Sequence, residues 1–191
     1  MHKIHSLILL FFLFSTIANS QSIEDLDKKN GFNQFQLGDS YTKWQSDLKL
    51  TQFEYHIPNA KLYFYTGKCC QDLFGFKVEG IFMTFQNDKL VEININLDRE
   101  RQRQDSQILV DCQSKLKRVI NSLVALYGIP QSGQEPKDLQ KKDPTYILAW
   151  IGKKAILKLE HSYVLSGNFE CKTEITVSDW TWKEETYKPE F

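Results

Sequence analysis

Strict alternation of apolar and polar residues in one segment limits the folds open to this chain more than any other feature. Apolar and polar side chains alternate without a break from residue 91 to residue 97. Because successive residues of a strand point to opposite faces of a sheet, the pattern predicts a strand with one buried and one wet face. One-sided strands of this kind are typical of antiparallel sheets. The apolar face therefore needs a second layer to cover it.

A long amphipathic segment follows and is the natural candidate for that layer. Apolar residues recur at steps of three and four between 109 and 127, which predicts a helix that begins near Asp105 or Ser106. Gly128 suits the position just past a helix end, and Pro130 cannot continue a helix. A helix of about 22 residues is on the order of 33 Å long, which is enough to cross a whole sheet.

Further alternating segments, the aromatic stretch at 61–66 and the apolar stretch at 146–151 predict the remaining strands. They cover residues 61–66, 74–78, 81–85, 146–151, 155–159 and 171–177. A shorter helix of about three turns is expected after Asp39 or Ser40, either of which can cap it. Its apolar side would carry Tyr41, Trp44 and Leu48. The expected fold is α+β: an antiparallel sheet of about six or seven strands, with one long and one short helix packed on one face.

The N-terminal segment predicts where the protein works. Residues 1–20 combine a positively charged start, an apolar stretch and small residues before a cleavage position after Ser20, which is the pattern of a secretory signal peptide. We expect a flexible leader over 21–30, a single α+β domain over 31–182 and a charged tail over 183–191. No cysteine lies near the apolar stretch, so no lipid anchor is expected. The expected location is the periplasm or the cell exterior.

Four cysteines follow the predicted signal peptide, namely Cys69, Cys70, Cys112 and Cys171. An even number in an exported chain favours disulfide bonds. Cys112 lies on the apolar stripe of the long helix and Cys171 on the apolar face of the last strand, so both should point into one interior. A bond between the adjacent pair would close a small, unfavourable ring. We therefore expect Cys69 and Cys70 to bond to the other two, in an order that stays open. A direct Cys112–Cys171 bond is the next alternative, and free buried cysteines are the third.

The sequence holds no pattern that specifies catalysis or a cofactor. It has no nucleophile elbow, phosphate-binding loop, dinucleotide fingerprint or zinc-protease motif. Of the four histidines only His56 and His161 follow the signal peptide. We expect them to be a loop residue and a half-exposed strand-end residue, so no metal site is expected. The formal net charge is zero, which gives no general attraction for nucleic acid or anionic membranes.

An aromatic group is the candidate binding surface. In the last predicted strand the odd positions face the core, whereas Trp180 and Trp182 are at even positions. A bulge near Asp179 would turn both tryptophans into the core. Without a bulge they stand on the opposite face. There, with Tyr63 and Tyr65 on a neighbouring strand, they would form a patch suited to a protein or sugar partner.

Two stretches resemble parts of small exported bacterial domains. They are GFNQFQLGDS at 31–40 and LYGIP at 126–130, the latter with Trp150 in the next strand. The layout is similar to that of BamE-like outer-membrane assembly proteins and of β-lactamase-inhibitor-type modules, in which helices pack on one face of an antiparallel sheet. The chain departs from the BamE-like pattern because it lacks a lipid-carrying cysteine and has an extra hairpin region with Cys69-Cys70. The resemblance implies a bacterial cell-envelope protein that binds a partner and does not catalyse.

We therefore expect a soluble, exported, non-catalytic binding domain of the bacterial cell envelope. Its partner would be another protein or an envelope component, bound through the open face of the sheet. No nucleic acid, cofactor, membrane span or lipid anchor is expected. The alternative is a carboxylate-dependent hydrolase that acts on an envelope polymer. A deep pocket with two carboxylates would favour the hydrolase, and a shallow aromatic surface would favour the binding domain.

Overall fold

The computed structural model describes residues 23–102, 106–134, 145–164 and 169–182. The predicted signal peptide and charged tail lie outside these residues. In chain order the elements are α1 (Ile23–Lys29), β1 (Gly31–Phe32), β2 (Phe35–Gln36), α2 (Tyr41–Trp44), a 3₁₀ turn (Gln45–Asp47), β3 (Leu48–Glu54), β4 (Ala60–Tyr65), β5 (Asp72–Leu73), β6 (Phe76–Gln86), β7 (Lys89–Gln102), α3 (Ser106–Tyr127), β8 (Ser132–Gln134), β9 (Thr145–Ile151), β10 (Ala155–Val164) and β11 (Phe169–Asp179). No helix in these ranges is long and apolar enough to span a membrane.

The fold is α+β, and its main layer is an antiparallel sheet with nine strands. Eight of them lie side by side in the order β3-β4-β6-β7-β11-β10-β9-β8. The ninth, β5, pairs with β6 and is not part of this order. The predicted six or seven strands are therefore too few. The missed strands β5 and β8 have two and three residues, which is too short to show a period. The missed strand β3 was included in part in the predicted short helix.

Two four-stranded meanders build this sheet. The first comprises β3, β4, β6 and β7, and the second comprises β8, β9, β10 and β11, so the strand order reverses where β7 pairs with β11. Each meander follows a helix in the chain, namely α2 and α3. The β7–β11 pairing aligns Ile93 with Val177 and Ile95 with Ile175. The two halves therefore share one continuous sheet and one apolar face.

The alternation at residues 91–97 and the long helix are confirmed. Ile93, Ile95 and Leu97 of β7 are at most 2% exposed. Helix α3 begins at Ser106 and ends at Tyr127, and Gly128 follows it with a left-handed φ of 77°, as expected for a residue that ends a helix. The buried side chains of α3 and of the strands belong to one apolar cluster. α3 therefore covers the apolar face of the sheet.

Residues 21–30 are not a flexible leader throughout, because Ile23–Lys29 form α1. Leu26 is fully buried and anchors this helix to the main core. One buried residue in a polar segment gives no helical periodicity, so the sequence pattern did not indicate the helix.

Asp27 of α1 ties the N-terminal helix to the β9–β10 turn. Its carboxylate accepts hydrogen bonds from the backbone N–H groups of Lys153, Lys154 and Ala155 at 2.7, 2.8 and 3.3 Å. Burial alone would raise the pKa of Asp27, but these three hydrogen bonds and the charge of Lys154 lower it. The carboxylate thus stays ionised and holds a turn more than a hundred residues away in the chain.

The short helix is shorter than predicted. α2 and the 3₁₀ turn together end at Asp47, and Leu48 begins β3, where it pairs with Tyr65 of β4. Trp44 is buried, and its indole N–H donates to Asp39 at 3.1 Å. Leu48 therefore belongs to a strand, although its spacing from Tyr41 and Trp44 had predicted that it would lie in the helix.

Two disulfide bonds join the four cysteines, but the preferred pairing was wrong. Cys112 of α3 bonds to Cys171 of β11, which was the second alternative. Cys69 bonds to its neighbour Cys70. The two neighbours would point apart in an extended chain, but Cys70 has a left-handed φ of 63°. The backbone turns at Cys70, and the assumption of an extended segment fails there.

Candidate functional site

The four aromatic residues of the predicted binding surface do not lie together. β11 ends at Asp179, and residues 180–182 form a helical turn whose backbone N–H groups donate to the Asp179 carboxylate. Trp182 is 2% exposed, whereas Trp180 is half-buried. Tyr63 and Tyr65 are 8% and 7% exposed and belong to the main core cluster. The chain turn at Asp179 replaces both the bulge and the continued strand considered for the tryptophans.

The sheet surface opposite α3 is the broadest candidate site, and we call it the open face. Because strand residues alternate, it carries the side chains that do not point at α3. Strand register places six of these residues in one row across the sheet, in the order Phe64, Phe82, Asn94, Thr176, Lys158 and Ala149. Along the row, the side chains change from aromatic in the first half of the sheet to polar at its centre and to aliphatic at the far end.

A band of hydrogen-bonded polar side chains occupies the centre of the open face, on β7 and β11. The Asn94 amide donates to the carboxylate of Glu174 and, at 3.2 Å, to the hydroxyl of Thr176. Asn96 donates to the Asn94 carbonyl oxygen at 3.1 Å, and Lys172 donates to Glu174 at 2.6 Å. These mutual contacts hold the polar side chains in defined positions before any partner binds.

Glu174 is the best-connected carboxylate of this polar band. Burial alone would raise its pKa, but hydrogen bonds from Lys172 and Asn94 and the charges of Lys172 and Lys158 lower it. Glu160 lies directly opposite Glu174 on β10 and forms an ion pair with Lys158 at 2.8 Å. Each of the two carboxylates therefore faces a lysine, and Glu174 stays ionised.

Apolar side chains flank the polar band on both sides. In the first half, the rings of Phe64 and Phe82 lie 5.3 Å apart between centroids. Gly80 makes room for them, because a Cβ at this position would lie 2.9 Å from the Phe64 ring. In the second half, Ile147 and Ile156 are half-buried. The open face thus has a polar centre with an apolar patch on each side.

Tyr55 and Trp182 cover one end of the open face. The Tyr55 hydroxyl lies 3.0 Å from the hydroxyl of Thr84, and its ring packs edge-on against Trp182 with centroids 5.5 Å apart. The Phe53 ring also packs edge-on against Tyr55, and Phe53 is 58% exposed. Trp182 therefore supports an aromatic group at the edge of the site, although its own surface is buried.

The β3–β4 hairpin contains a cleft of about 500 Å³, lined by residues 50–61 and so by Phe53 and Tyr55 from the edge of the open face. His56 lies in this lining and is exposed, in agreement with a loop residue. Glu54 is the one carboxylate among the lining residues. This cleft does not combine two carboxylates, which is the arrangement that a glycosidase needs.

His161 was predicted to be half-exposed at a strand end, and this prediction was wrong. β10 continues to Val164, and His161 is fully buried on the side of α3. Its Nδ1 lies 2.7 Å from the Thr173 hydroxyl, and its ring packs against Tyr163. Burial, and secondarily the charge of Lys115, lower its pKa to about 4. His161 is therefore an uncharged core residue. Among the described residues no cluster of three or more metal-ligating side chains occurs.

No family model, no curated protein and no solved structure matches this chain. The similarity to BamE-like and β-lactamase-inhibitor-type layouts stays a prediction.

Proposed function

We propose that this chain is an exported, non-catalytic binding domain of the bacterial cell envelope, and that its open face binds another protein. The polar band centred on Asn94 and Glu174 carries this proposal. Its side chains are already hydrogen-bonded to one another, so a partner can meet fixed donors and acceptors without a large cost in side-chain entropy. Burial of the flanking apolar patches against a partner would contribute favourable free energy of binding.

The size of the open face suits a protein partner. Eight strands at about 4.8 Å spacing make a surface roughly 34 Å wide. Seven of these strands have six or more residues, so the area is on the order of 800 Å², which is what one partner contributes to a standard protein–protein interface. A small molecule would use only a fraction of this surface.

A second copy of the chain is a poorer occupant of the open face. Packing two open faces together would bury the charged side chains Lys158, Glu160, Lys172 and Glu174 of each copy. Removing paired charges from water costs several kcal/mol per ion, and their attraction repays this only with good geometry. A partner with its own polar side chains and interfacial water can instead satisfy the polar band.

The alternative is a hydrolase that uses two carboxylates, and Glu160 with Glu174 is the pair it would need. One carboxyl group of such a pair must hold a proton near neutral pH, which requires a raised pKa. The pKa of Glu174 is lowered instead, and Glu160 pairs with Lys158. This electrostatic setting supports the binding domain over the hydrolase.

An activity assay tests this alternative. If the protein releases reducing ends or peptides from purified envelope polymer, and if Glu174→Gln abolishes that release, the result would favour the hydrolase.

Site-specific photo-crosslinking tests the proposed binding face. Benzoylphenylalanine replaces Lys158 on the open face in one variant and Lys117 on the exposed side of α3 in the matched control. Each folded variant is irradiated with a native envelope fraction. We expect one dominant protein adduct from position 158 and none from position 117. Ile156→Arg, which adds a charge to the open face, should remove the adduct, whereas Arg118→Glu should leave it. An adduct from position 117 alone would contradict the proposal.

Export is tested separately from binding. We expect the protein from its native host to begin at Gln21 and to be released with the soluble envelope fraction. N-terminal sequencing and fractionation measure this. A chain that keeps residues 1–20 and stays in the cytoplasm would overturn the proposed location.

A further inference from the structure

We propose that the Cys69–Cys70 disulfide is a reducible latch. Reduction by a dithiol would open it and release a flap, residues 66–77, from the α3 side of the protein. The flap runs from the end of β4 through β5 to the first two residues of β6. This proposal does not depend on the open face or on the proposed function.

The flap packs on two other parts of the molecule. The Asn33 amide donates to the Cys70 sulfur at 3.1 Å, and the ring of Phe74 packs edge-on against Phe32 with centroids 6.3 Å apart. On the opposite side, the Phe76 ring lies below the charged group of Arg118, 5.0 Å from its centroid. The flap therefore joins the β1–β2 hairpin to α3.

The backbone of the flap explains why it needs a latch. Cys70 and Phe74 have φ angles of 63° and 55°, a left-handed conformation that side chains with a Cβ rarely adopt. The bond to Cys69 restricts Cys70 to a few conformations, including this one. Once the bond is reduced, Cys70 is held by its packing against the core and by the Asn33 hydrogen bond to its sulfur, and hydrogen bonds to sulfur are weak. We expect Cys70 to leave the left-handed region and the flap to open.

The two disulfides differ in their access to a reductant. Cys69 and Cys70 are half-buried, whereas Cys112 and Cys171 are 0% and 1% exposed. A reducing thiolate must reach a sulfur atom along the S–S bond, so burial protects a disulfide. The Cys69–Cys70 bond should therefore be reduced in the folded protein, while the Cys112–Cys171 bond remains.

The reaction is an ordinary thiol–disulfide exchange with a dithiol as the reductant. A thiolate of the dithiol attacks one sulfur of the bond and forms a mixed disulfide, and the other cysteine leaves as a thiolate. The second thiol of the reductant then closes its own ring and releases the remaining cysteine. Two electrons pass to the protein, both cysteines end as thiols after protonation, and the reductant ends as a cyclic disulfide.

Opening the flap would change the surface beside α3. Leu73, Phe74 and Phe76 pack against the main core from the flap, so their release uncovers apolar surface next to Arg118. Exposed apolar patches of this kind promote association with other proteins or membranes. The redox state of one adjacent cysteine pair would thus control a surface that the oxidised protein keeps covered.

The test uses the full chain with both disulfides intact. Dithiothreitol is added in increasing concentration, free thiols are alkylated, and mass spectrometry maps them, while hydrogen–deuterium exchange follows the flap. We expect Cys69 and Cys70 to be alkylated first. At that point amide exchange in residues 66–77 should rise at least about tenfold, with exchange in β7 and β11 unchanged. Unchanged flap exchange after reduction, or reduction of all four cysteines together, would overturn the proposal.

Two variants separate the bond from the backbone conformation. Cys69→Ser with Cys70→Ser should exchange as fast as the reduced protein, without any reductant. Cys69→Ser with Cys70→Gly should exchange more slowly than the double serine variant, because glycine adopts the left-handed conformation without penalty. Equal exchange in the two variants would overturn the argument that the latch acts by holding the Cys70 backbone.

Discussion

Individual polar residues in this protein are used in two different ways. On the open face, Asn94 and Glu174 lie in a hydrogen-bonded band that water reaches at its edges. On the side of α3, His161 is fully buried and hydrogen-bonded to Thr173. The first arrangement is the one that we propose a partner completes, whereas the second makes stability depend on protonation.

We predict that the free energy of unfolding falls in mild acid because of His161. Its pKa is about 4 in the folded protein and 6.5 as a free side chain, so the unfolded state binds the proton first as the pH falls. The stabilising contribution is complete above about pH 6.5 and is lost progressively toward pH 4, by about 3 kcal/mol. Urea unfolding at a series of pH values measures this loss.

Histidine variants identify the source of that acid sensitivity. His161→Gln, which cannot titrate, should lose this part of the pH dependence, whereas His56→Gln, at an exposed position, should keep it. The same pH dependence in His161→Gln as in the unmodified protein would show that other groups are responsible.

The two tryptophans of the C-terminal turn should differ in their effect on stability. Trp182 is 2% exposed and packs against Tyr55, so Trp182→Ala should lower the free energy of unfolding by about 3–5 kcal/mol. Trp180 is half-buried, and Trp180→Ala should cost about 1 kcal/mol. Chemical denaturation of the two variants measures the difference. Equal losses would contradict the difference in burial between the two tryptophans.

At the scale of elements, the Cys112–Cys171 bond ties α3 to the central strand β11. Its cysteines are 59 residues apart, and closing a loop of that length in the unfolded chain is worth about 4 kcal/mol by the chain-entropy relation. We predict that Cys112→Ala with Cys171→Ala loses about 2–4 kcal/mol of stability. The Cys69–Cys70 bond closes only a small ring between neighbouring residues, so its removal should change global stability little. Urea denaturation of both double variants tests this contrast, which similar losses would contradict.

Sequence patterns revealed those elements in which a long continuous segment keeps one hydrophobic period. The α3 helix and the alternation of β7 were predictable because many successive residues obey one period. Helix α1 has a single fully buried residue, and Lys153, which donates to its Asp27, lies 126 residues further along the chain. No local sequence pattern therefore indicates this helix. The predicted disulfide pairing was wrong for a local reason, which is the left-handed backbone conformation of Cys70.

The polar band of the open face was predictable only in part. Alternation indicated that residues 92, 94 and 96 lie on a wet face. It did not indicate that β11 lies beside them, because Asn94 and Thr176 are separated by 82 residues. The aromatic surface proposed from Trp180 and Trp182 depended on where the last strand ends, and a chain turn is not visible in a period-two pattern.

At the scale of the whole molecule, the β7–β11 pair and a shared core join the two meanders. Side chains from both, among them Met83 and Trp150, belong to one apolar cluster that also includes Trp44 of α2. We therefore predict a single cooperative unfolding transition. Calorimetric and van't Hoff enthalpies should agree, and the fluorescence of Trp44 and Trp150, each observed after the other tryptophans are replaced by phenylalanine, should change together. Two separate transitions would show that the meanders fold independently.

The contact between Asp27 and the β9–β10 turn also bears on the order of events during synthesis. The first described helix finds its hydrogen-bond partners only when residues 153–155 have been made, so early native structure cannot be completed on a partly synthesised chain. Contacts of such long sequence separation slow folding. Under the export proposed above, slow folding of this kind would keep the chain unfolded until transport across the membrane is complete.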